Sequence, residues 1–428
     1  MTDSNIHDAT FARLKQMFDD TLNKQQSTFK TSNDEPTPIG CIQEILAKIP
    51  VEIWSNPDAR IYDPCCGNGN WHLVAWDMIK RASGRDDASI TKMFHFNDTN
   101  HDRLANVRNV FRDEMHALNI TSHDFLEHQD NNRYDLIMAN PPYARIMPDG
   151  KRASKNHTMI RDFLTKSLEL LNDDGFLAYL IPDNWMSLAD RNVIVMELTK
   201  FQFVHLNIHD AKRWFPKIGS SFTWFVLKKC PATEPFDVEG TYMKTAFKGM
   251  VASQHRDYIP LIYTETVRSI LNKTIDRDDI PRFKVETSSD LHKYTNRDLI
   301  SSMKDDKHPY KLIHTPKQTV YATRPHKFQE GFKVFISATD KYGTFVDECG
   351  MTQSIAFVRC ASEDEAKEHK RVLDHPLYKF LNDICRWGNF NNIRILQRFP
   401  LPEDKDDIYG SFGIDEEEKA FIEKVTVK

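Results

Sequence analysis

The chain has 428 residues, of which 40% are hydrophobic and 28% charged, and its formal net charge is −5. These values are typical of a globular protein of two or three domains, and no apolar run reaches the roughly 18 residues that a membrane span requires. The seven cysteines are scattered without a CxxC pair, so they indicate neither a disulfide framework nor a metal site, and a reducing cytoplasm is the expected compartment.

The N-terminal part is predicted to be helical. Apolar side chains recur at helical spacing between Phe11 and Leu22, which favours a helical segment over residues 1–30. A polar loop follows, and Pro38 is predicted to open a second helix, IGCIQEILAKI. The first residues lack the basic and apolar runs of a secretion signal, which agrees with a cytoplasmic protein.

From about residue 58 strands and helices alternate. The predicted strands are ARIYDP, KMFHFND, YDLIMAN, GFLAYLIPD and SFTWFVLKK, and the predicted helices between the first four are HLVAWDMIKRA, DRLANVRNVFRDEM and IRDFLTKSLELL. Such alternation predicts an α/β fold with a doubly wound, mostly parallel, Rossmann-like sheet. Ligands of these folds bind beyond the carboxyl ends of the strands.

The first strand ends in an acid and a glycine turn, IYDPCCGNGN. Gly67 and Gly69 permit close approach of a ligand to the backbone, and Asp63 is expected to point from the strand end. An ordinary tight turn is an equally good interpretation of the glycines. The spacing is not that of the dinucleotide fingerprint GxGxxG, because His72 occupies the third position, so phosphate binding is not favoured.

Acids also follow the next two segments. Asp98 lies where a carboxylate would accept from the two hydroxyls of a ribose, although Asp98, Thr99 and Asn100 are all good helix N-caps. Asp124 is a candidate acceptor for an exocyclic amine, and Phe125 is a candidate cover for a purine face. Phe125 as a core residue is the alternative.

The strand YDLIMAN runs directly into Asn140-Pro141-Pro142-Tyr143. Proline cannot donate to a strand ladder, and residues before proline are driven to extended conformations, so this hook is stiff. The Asn140 side-chain oxygen and the Pro141 carbonyl are predicted to converge as two acceptors for one NH2 group. Accepting both hydrogens stabilises the positive charge that develops when an aromatic amine attacks an electrophile. Tyr143 is placed to stack on the base that carries the amine.

In residues 36 to about 229 the sequence resembles the gamma group of adenine-N6 DNA methyltransferases, which use S-adenosylmethionine. The segments that carry the resemblance follow the family order. Thr37-Pro38 is similar to motif X, DPCCGNG to motif I, Asp98 to the acid of motif II, HDFL to motif III, NPPY to motif IV, DFLTKSLELLNDDGFLAYLIPDNWM to motifs V and VI, and WFPKIGSSFTWFVLKK to motif VIII.

The resemblance implies a role for each matching residue. Contacts to the methionine part of the cofactor fall to Thr37, Pro38, Asp63, Pro64, Cys65, Gly67 and Gly69. Asp98 would contact the ribose, and Asp124 with Phe125 the adenine. The catalytic residues would be Asn140, Pro141, Pro142 and Tyr143. A target adenine would be flipped out of duplex DNA and would lie between Tyr143 and Phe215, with Phe222 and Trp224 in the core. No proton acceptor and no metal are assigned.

Residues 1–230 are therefore interpreted as the catalytic domain and residues 231–428 as an α+β target-recognition domain that binds DNA. Basic residues with interleaved aromatics occur in 308–328, namely Lys311, Lys317, Arg324 and Lys327. Residues 386–398 add Arg386 and Arg394 beside Trp387 and three asparagines, and such residues are common in base contacts. A solvated basic surface is the alternative for either stretch.

The net charge does not exclude a DNA partner. Residues 401–428 hold nine acids and four lysines, so this acidic C-terminal segment carries the whole −5, and the 57 basic and 62 acidic residues of the chain leave 53 of each in residues 1–400.

NPPY also occurs in RNA adenine methyltransferases and in enzymes that methylate a glutamine of release factors. The glutamine enzymes carry a helical domain before the methylase core, whereas this chain places nearly 200 residues after it. A non-enzymatic DNA-binding module is a further alternative, although the motifs are intact. EDEAKEHK is interpreted as an exposed helix and not as a nuclease motif. A monomer is expected, with a cognate restriction endonuclease as a candidate partner.

Overall fold

A computed structural model of the protein describes residues 4–25, 35–112, 117–143, 158–189, 193–339, 341–386, 388 and 390–426. The chain divides into two compact units. Unit 1 comprises Met1–Asp183, Met196–Thr241 and Lys248–His255, and unit 2 comprises Asn184–Val195, Tyr242–Phe247 and Arg256–Lys428. Within the described ranges, no helix has the length and apolarity that crossing a membrane requires.

One large sheet forms the framework of unit 1. Its strands in the described part of the chain are β1 (Ile61–Asp63), β2 (Phe94–Asn97), β3 (Asn119–Thr121), β4 (Tyr134–Ala139), β5 (Leu171–Pro182), β6 (Phe201–Ile208), β7 (Phe222–Pro231), β8 (Phe236–Tyr242) and β9 (Thr245–Val251). The strand order is β3-β2-β1-β4-β5-β7-β6-β8-β9. Strands β3, β2, β1, β4 and β5 are parallel neighbours, and β7 is antiparallel to both β5 and β6. The predicted Rossmann-like, mostly parallel fold is confirmed.

Both faces of the sheet are covered, as a doubly wound fold requires. The helices of this part are α1 (Phe11–Asp20), α2 (Ile39–Leu46), α3 (Val51–Ser55), α4 (Asn70–Ser83), α5 (Asp87–Met93), α6 (His101–Phe111), α7 (Thr158–Leu170) and α8 (Ile194–Leu198). On one face Ile61 and Leu136 join a core with residues of α1, α2, α4 and α6. On the other face the ring of Tyr62 lies 6.1 Å from that of Phe125, which lies 5.0 Å from that of Phe163 in α7.

The boundary between α5 and β2 and the presence of β6 are two of the features of unit 1 that differ from the prediction. Lys92 and Met93 end α5, which Asp86 caps by accepting from Ser89 N at 2.8 Å, so the following strand begins only at Phe94. Strand β6 was absent from the predicted series because polar residues interrupt it. One of them, His205, is buried by stacking on Trp224 with ring centroids 4.8 Å apart, and its Nε2 lies 3.1 Å from Glu239 Oε1.

The sheet also continues past the predicted domain boundary at residues 230/231. Strand β8 pairs in parallel with β6 through four registered residue pairs, from His205–Asp237 to Ile208–Gly240. Strand β9 follows β8 at the sheet edge. The segment after residue 231 therefore adds two strands to this sheet before the chain enters the long C-terminal part of unit 2.

Unit 2 contains two four-stranded sheets in the ranges that the structure describes, with orders β10-β17-β14-β15 and β11-β13-β12-β16. The strands are β10 (Glu286–Thr287), β11 (Ile300–Ser301), β12 (Tyr310–Thr315), β13 (Gln318–Ala322), β14 (Lys333–Ser337), β15 (Thr344–Asp347), β16 (Gly350–Met351) and β17 (Ile355–Arg359). The helices are α9 (Glu265–Lys273), α10 (Glu363–Leu373), α11 (Pro376–Ile384), α12 (Ile393–Leu396), α13 (Ile408–Ser411) and α14 (Glu416–Thr426).

Helix α10 contains EDEAKEHK, so the prediction of a helix there is confirmed. The acidic C-terminal segment is an integral part of unit 2. Ile422 and Val425 of α14 are buried in its main core, and Glu418 is 3% exposed and accepts from Lys273 Nζ at 2.6 Å.

Candidate active site

The predicted site residues of unit 1 follow strands that end at one edge of the sheet. Asp63 ends β1, Asp98 follows β2, and Asn140 follows β4. Because these strands are parallel, their carboxyl ends meet at the same edge. Strands β1 and β4 are also neighbours although they are far apart in sequence, which makes this the switch point where doubly wound sheets bind ligands.

The glycine turn after β1 has a backbone that favours glycine. Gly67 and Gly69 have φ angles of +56° and +88°, in the left-handed region that side chains with a Cβ rarely adopt. A Cβ on Gly69 would lie 2.8 Å from Phe111 Cε2. A Cβ on Gly67 would have no atom of the other described residues within 4 Å, its two sequence neighbours aside. Gly69 is therefore required for packing, and Gly67 leaves open space beside the backbone.

Asp63 is a buried carboxylate with one unused oxygen. Its Oδ1 accepts from Cys65 N at 3.0 Å, while Oδ2 is buried and has no hydrogen-bond partner among the described residues. Burial raises the pKa of Asp63 to about 8, the Cys65 N–H opposes the shift, and the charge of Asp98 adds to it. A cationic donor at Oδ2 would stabilise the charged form. The ammonium group of S-adenosylmethionine is such a donor, so the residue fits this cofactor.

Asp98 accepts from two backbone amides. Oδ2 accepts from Gly67 N at 2.9 Å and Oδ1 from Asn100 N at 2.8 Å. The N-cap of α6 is Asn100, whose side chain accepts from Asp102 N and Arg103 N, so Asp98 itself is not the cap. Arg103 Nη1 lies 3.9 Å from Asp98 Oδ2, and the contact of Asp98 with a ribose diol stays a prediction.

Asp124 and Phe125 form the third part of the edge. Asp124 Oδ1 accepts from Leu126 N at 2.9 Å. Phe125 is 5% exposed and packs between Tyr62 and Phe163, with Lys166 Nζ 5.1 Å from its ring centroid. In this structure its ring is a core residue, and its contact with a cofactor adenine remains a proposal.

The amide of Asn140 is oriented from both ends. Its Nδ2 donates to Thr37 Oγ1 at 3.1 Å, and its Oδ1 accepts from the Tyr143 hydroxyl at 2.6 Å. The Cys65 thiol donates to the backbone oxygen of Asn140 at 3.7 Å. Both partners are hydroxyl groups, and the two contacts hold the plane of the amide in place. The Tyr143 contact occupies one lone pair of Oδ1 and leaves the other for a substrate amine.

Thr37 connects three of the motif segments. Besides accepting from Asn140, it accepts at its backbone oxygen from Asn70 Nδ2 at 2.8 Å. Asn70 is the first residue of α4, directly after the glycine turn, and Thr37 precedes Pro38, the N-cap of α2. Sequence reasoning missed this role of Asn70, because its only signal is its place after Gly69.

The two predicted stacking aromatics are both close to Phe222. The ring centroids of Phe215 and Phe222 are 4.9 Å apart, and those of Tyr143 and Phe222 are 6.2 Å apart. Phe215 is 1% exposed, and Tyr143 is half-buried. Phe222 and Trp224 belong to the core, as expected. The placement of a base between Tyr143 and Phe215 stays a prediction.

Pro64, Pro141 and Pro142 complete the predicted set in unit 1. Pro64 and Pro141 are buried, and Pro142 is exposed. The Pro64 backbone oxygen accepts from Asn97 Nδ2 at 2.9 Å, which fixes the turn after β1 to the end of β2.

In unit 2, several residues of the basic stretch have acidic partners that the sequence did not reveal. Lys311 Nζ lies 2.5 Å from Asp347 Oδ2, and Arg324 Nη2 lies 2.9 Å from Asp290 Oδ1. The backbone N–H of Lys327 also donates to Asp290. The stretch itself contains no acid, but acidic residues 20 or more positions away from these basic residues are their partners in the fold. Lys317 is exposed in the β12–β13 hairpin.

The second basic stretch contains internal asparagine contacts. Asn391 is 3% exposed and donates to Ser337 O at 2.7 Å, and Asn392 caps α12. These two amides are structural, which contradicts their interpretation as base-reading groups. Arg394 is exposed, whereas Arg386 Nε is buried without a partner in the described ranges. Trp387 and Asn389 lie outside the described residues.

Comparison with known proteins agrees with the motif series. Residues 74–211 match the sequence model of the family described as Eco57I restriction-modification methylase. The chain is 27% identical over 143 residues to the Type II methyltransferase M.VspI of Vibrio sp. (strain 343), in an alignment that covers 30% of this chain and 32% of that protein. The resemblance to S-adenosylmethionine-dependent DNA methyltransferases is thereby confirmed for this part of the chain, and with it the cofactor.

Two solved structures are similar in fold over 97% of the chain. One is a nuclease-deletion mutant of the Type ISP restriction-modification enzyme LlaGI in complex with a DNA substrate mimic, with a TM-score of 0.54, 13% identity and 56% of that chain covered. The other is DrdV in a complex with DNA, with a TM-score of 0.54, 10% identity and 59% of that chain covered. The chain thus spans about a third of the curated relative and less than two thirds of either structure.

Proposed function

We propose that this protein transfers a methyl group from S-adenosylmethionine to the N6 amino group of an adenine in a specific sequence of duplex DNA. The observation that carries the proposal is the fixed Asn140 amide at the carboxyl end of β4, between Thr37 and Tyr143. An adenine inside a duplex cannot reach a pocket at this edge, so the base is turned out of the helix before reaction.

In this mechanism the protein positions the amine and stabilises the charge that develops on it. Asn140 Oδ1 and the Pro141 carbonyl accept from the two N6 hydrogens, which favours a nitrogen with its lone pair available. The cofactor supplies an electrophilic methyl group on a sulfonium centre. Transfer would be an in-line displacement: the bond from N6 to the methyl carbon forms while the bond from sulfur to that carbon breaks and its electron pair stays on sulfur, and the methylated nitrogen then loses a proton to solvent. Such a reaction depends on positioning, so the rigid Pro141-Pro142 backbone contributes by limiting the directions in which the acceptors point.

The cofactor site that we propose runs along the β1–β2 edge. Asp63 Oδ2 receives the ammonium group, Thr37, Pro38 and the turn from Pro64 to Gly69 surround the methionine part, and Asp98 accepts from the ribose. Asp124 and Phe125 are assigned to the adenine ring. The unpartnered oxygen of Asp63 supports the first of these assignments, and the open space beside Gly67 supports the second.

Methyl transfer to a plasmid library of random sequence tests the proposal. Purified protein with S-adenosylmethionine labelled in the methyl group should label DNA, and mapping of the modified bases should find N6-methyladenine in one sequence context. Total RNA and a release factor are the parallel substrates. Label that appears only in RNA or only on glutamine would replace the proposal by one of the other NPPY chemistries, and absence of transfer to all three would favour a binding module.

We further propose that unit 2 recognises the DNA target, that a cognate restriction endonuclease is a partner, and that the protein acts as a monomer. Lys317 should contact a phosphate, because it is exposed at a hairpin of this unit. Lys317→Ala is expected to weaken DNA binding and to reduce the slope of log affinity against log salt by about one unit. Binding measured between low and moderate salt gives the slope.

The matched control for Lys317 is Lys367→Ala, which removes the same charge from an exposed helix where Lys367 pairs with Glu363 at 2.7 Å. An equal change of slope in both variants would show that the effect is one of total charge. Arg324 and Lys311 are weaker tests, because their loss also removes the ion-pair partner of Asp290 or Asp347.

Arg394→Ala is expected to relax sequence preference by about 1–3 kcal/mol at one base position, if this exposed arginine reads a guanine. Comparing methylation of the mapped site with that of its single-base variants measures the preference. Uniform loss across all variants of the site would instead assign Arg394 to the DNA backbone.

A further inference from the structure

The connection between β6 and β7 carries Phe215. We call residues 209–221 the β6–β7 loop. It contains the short 3-10 helix Asp210–Trp214, and Phe215 follows directly. Phe215 is 1% exposed and packs on Phe222, whose ring lies 6.2 Å from that of Tyr143. Phe222 thus connects the ring of Phe215 with that of Tyr143 in the Asn140–Tyr143 hook.

The loop begins in a conformation that requires support. His209 has a φ of +73°, which is uncommon for a residue with a side chain. Its Nε2 donates to Asp183 Oδ2 at 2.7 Å, and its backbone N–H donates to Phe222 O at 2.9 Å. Asp183 directly follows β5. The first residue of the loop is therefore fixed to the ends of two neighbouring strands.

Hydrogen bonds within the β6–β7 loop also connect its first half to its second half. Lys212 Nζ donates to the backbone oxygens of Ile218 and Ser220, the latter at 3.2 Å. The backbone N–H of Phe215 donates to Lys212 O at 3.1 Å, and that of Ile218 to Phe215 O at 3.3 Å. These bonds define the conformation of the residues on both sides of Phe215.

A third set of contacts fixes the loop to α2, and we call it the α2 anchor: Gly40, Glu44, Arg213 and Trp214. Arg213 Nη2 donates to Glu44 Oε1 at 2.6 Å, and Trp214 Nε1 donates to Glu44 Oε2 at 3.2 Å. The indole ring lies against Gly40, where a Cβ would be 2.3 Å from Trp214 Cη2. The Glu44 carboxylate therefore accepts from two consecutive loop residues. The indole ring of Trp214, the residue before Phe215, packs against α2 at Gly40, where the helix has no side chain.

Helix α2 also supports the hook. It begins at Ile39, directly after Thr37 and Pro38, and Thr37 Oγ1 accepts from Asn140 Nδ2 at 3.1 Å. The same helix thus orients the amide that receives the target amine and the loop that carries Phe215. Two groups attached to one rigid element keep a constant separation, which is what an extrahelical base between them would require.

We propose that the α2 anchor positions Phe215 relative to Asn140, so that Glu44 and Trp214 are positioning residues for the turned-out target base. This inference rests on the proposed function. Neither residue belongs to the set assigned to the cofactor or to the target amine. Their loss should therefore shorten the time that the base spends in its pocket and lower the rate of transfer, with cofactor affinity unchanged.

Glu44→Ala, Glu44→Gln and Trp214→Phe test the proposal in the full-length protein. Two duplexes of the mapped sequence are needed. One carries adenine at the target position and reports methyl transfer. The other carries 2-aminopurine there, which lacks the N6 amine and cannot be methylated, and its fluorescence rises when the base leaves the stack. Glu44→Ala should lower the single-turnover rate of methyl transfer about tenfold, since small misplacements of a bound group are costly. It should also lower the fluorescence, with the dissociation constant of S-adenosylmethionine within twofold of the wild type. Glu44→Gln should recover part of both signals, because its amide oxygen still accepts from Trp214 Nε1.

The chain offers a matched control of the same chemistry. Trp76 Nε1 donates to Asp87 Oδ1 at 2.8 Å, and Lys80 Nζ lies 2.7 Å from the same oxygen and 4.9 Å from the Trp76 ring. Asp87→Asn therefore disturbs an indole, a carboxylate and a cation that lie on α4 and α5. We expect wild-type transfer and fluorescence from this variant.

The outcomes separate the inference from the function on which it rests. Reduced rate and fluorescence in Glu44→Ala and Trp214→Phe, with normal signals in Asp87→Asn, support the proposal. It is overturned by full activity in Glu44→Ala, by equal losses in Asp87→Asn, or by losses that follow cofactor affinity. A wild-type protein that methylates no DNA would refute the proposed function itself, and the inference would fall with it.

Discussion

Asn140→Ala is expected to lower the rate of methyl transfer about a hundredfold or more, since loss of one preorganised group that stabilises developing charge costs about 3 kcal/mol. The Asn140 oxygen acts when the amine becomes positive, so its contribution is largest in the transition state. Cofactor affinity should fall much less, because Asp63 and the glycine turn remain. Single-turnover transfer to plasmid DNA and calorimetric titration of S-adenosylmethionine measure the two quantities.

Asn172→Ala is the control for this variant. Asn172 is also an asparagine of unit 1, and its Nδ2 donates to Asp135 Oδ1 at 2.8 Å. It has no place in the proposed machinery, so its loss should leave transfer unchanged. Full activity of Asn140→Ala would contradict the role of the amide as an acceptor for the amine, and a matching loss in Asn172→Ala would point to general destabilisation.

Asp63→Asn is expected to weaken S-adenosylmethionine binding by about tenfold to a hundredfold, because a hydrogen bond to a charged group contributes about 1.5–3 kcal/mol. The same change should stabilise the cofactor-free protein at pH 8 and above, since it removes a buried charge that has no partner at Oδ2. Thermal unfolding with and without cofactor measures both effects. A lower melting temperature of the Asp63→Asn variant together with unchanged cofactor affinity would show that Asp63 has a structural role.

The pKa of Asp63 gives this prediction a pH dependence with a defined sign. The folded-state pKa is raised from 3.8 to about 8, so the folded protein binds the proton more tightly than the unfolded chain. The contribution of Asp63 to stability is therefore lost as the pH rises from about 4 to about 8. Cofactor affinity should change in the opposite direction and increase with pH up to about 8, because the ammonium group requires the ionised carboxylate.

The Asp63→Asn variant is the control for the pH profile of the wild type. The asparagine cannot ionise, so the variant should lose the rise of cofactor affinity between pH 6 and 8 that is expected of the wild type. Identical profiles for the two proteins would assign the pH dependence to another group, and a flat wild-type profile would mean that Asp63 stays ionised without the cofactor.

The fold class and the order of the site segments were accessible from sequence because local rules govern them. The alternation of apolar strands with amphipathic helices predicts a doubly wound sheet, and parallel strands place Asp63, Asp98 and Asn140 at one edge. Proline restricts its own φ and the conformation of the residue before it, so the stiffness of residues 140–143 follows from four letters of sequence.

Other features depended on residues that are distant in sequence. Strand β6 is interrupted by polar residues, and only the pairing of His205 with Glu239 and its stacking on Trp224 show why they are tolerated. The basic stretch of unit 2 contains no acid in its own sequence, but in the folded protein Asp290 pairs with Arg324 and Asp347 pairs with Lys311.

The sequence by itself therefore determined the type of sheet, the stiff Asn140–Tyr143 hook at the end of a strand and the set of acids at the strand ends. Tertiary structure alone decided what those groups contact: Thr37 reaches Asn140 across 103 positions, Asn100 and not Asp98 caps α6, and Glu44 accepts from Arg213 and Trp214 about 170 residues away. Periodicity and backbone preference report on neighbours within a few residues. A hydrogen bond between distant side chains depends on the packing of whole elements, and no local pattern records it.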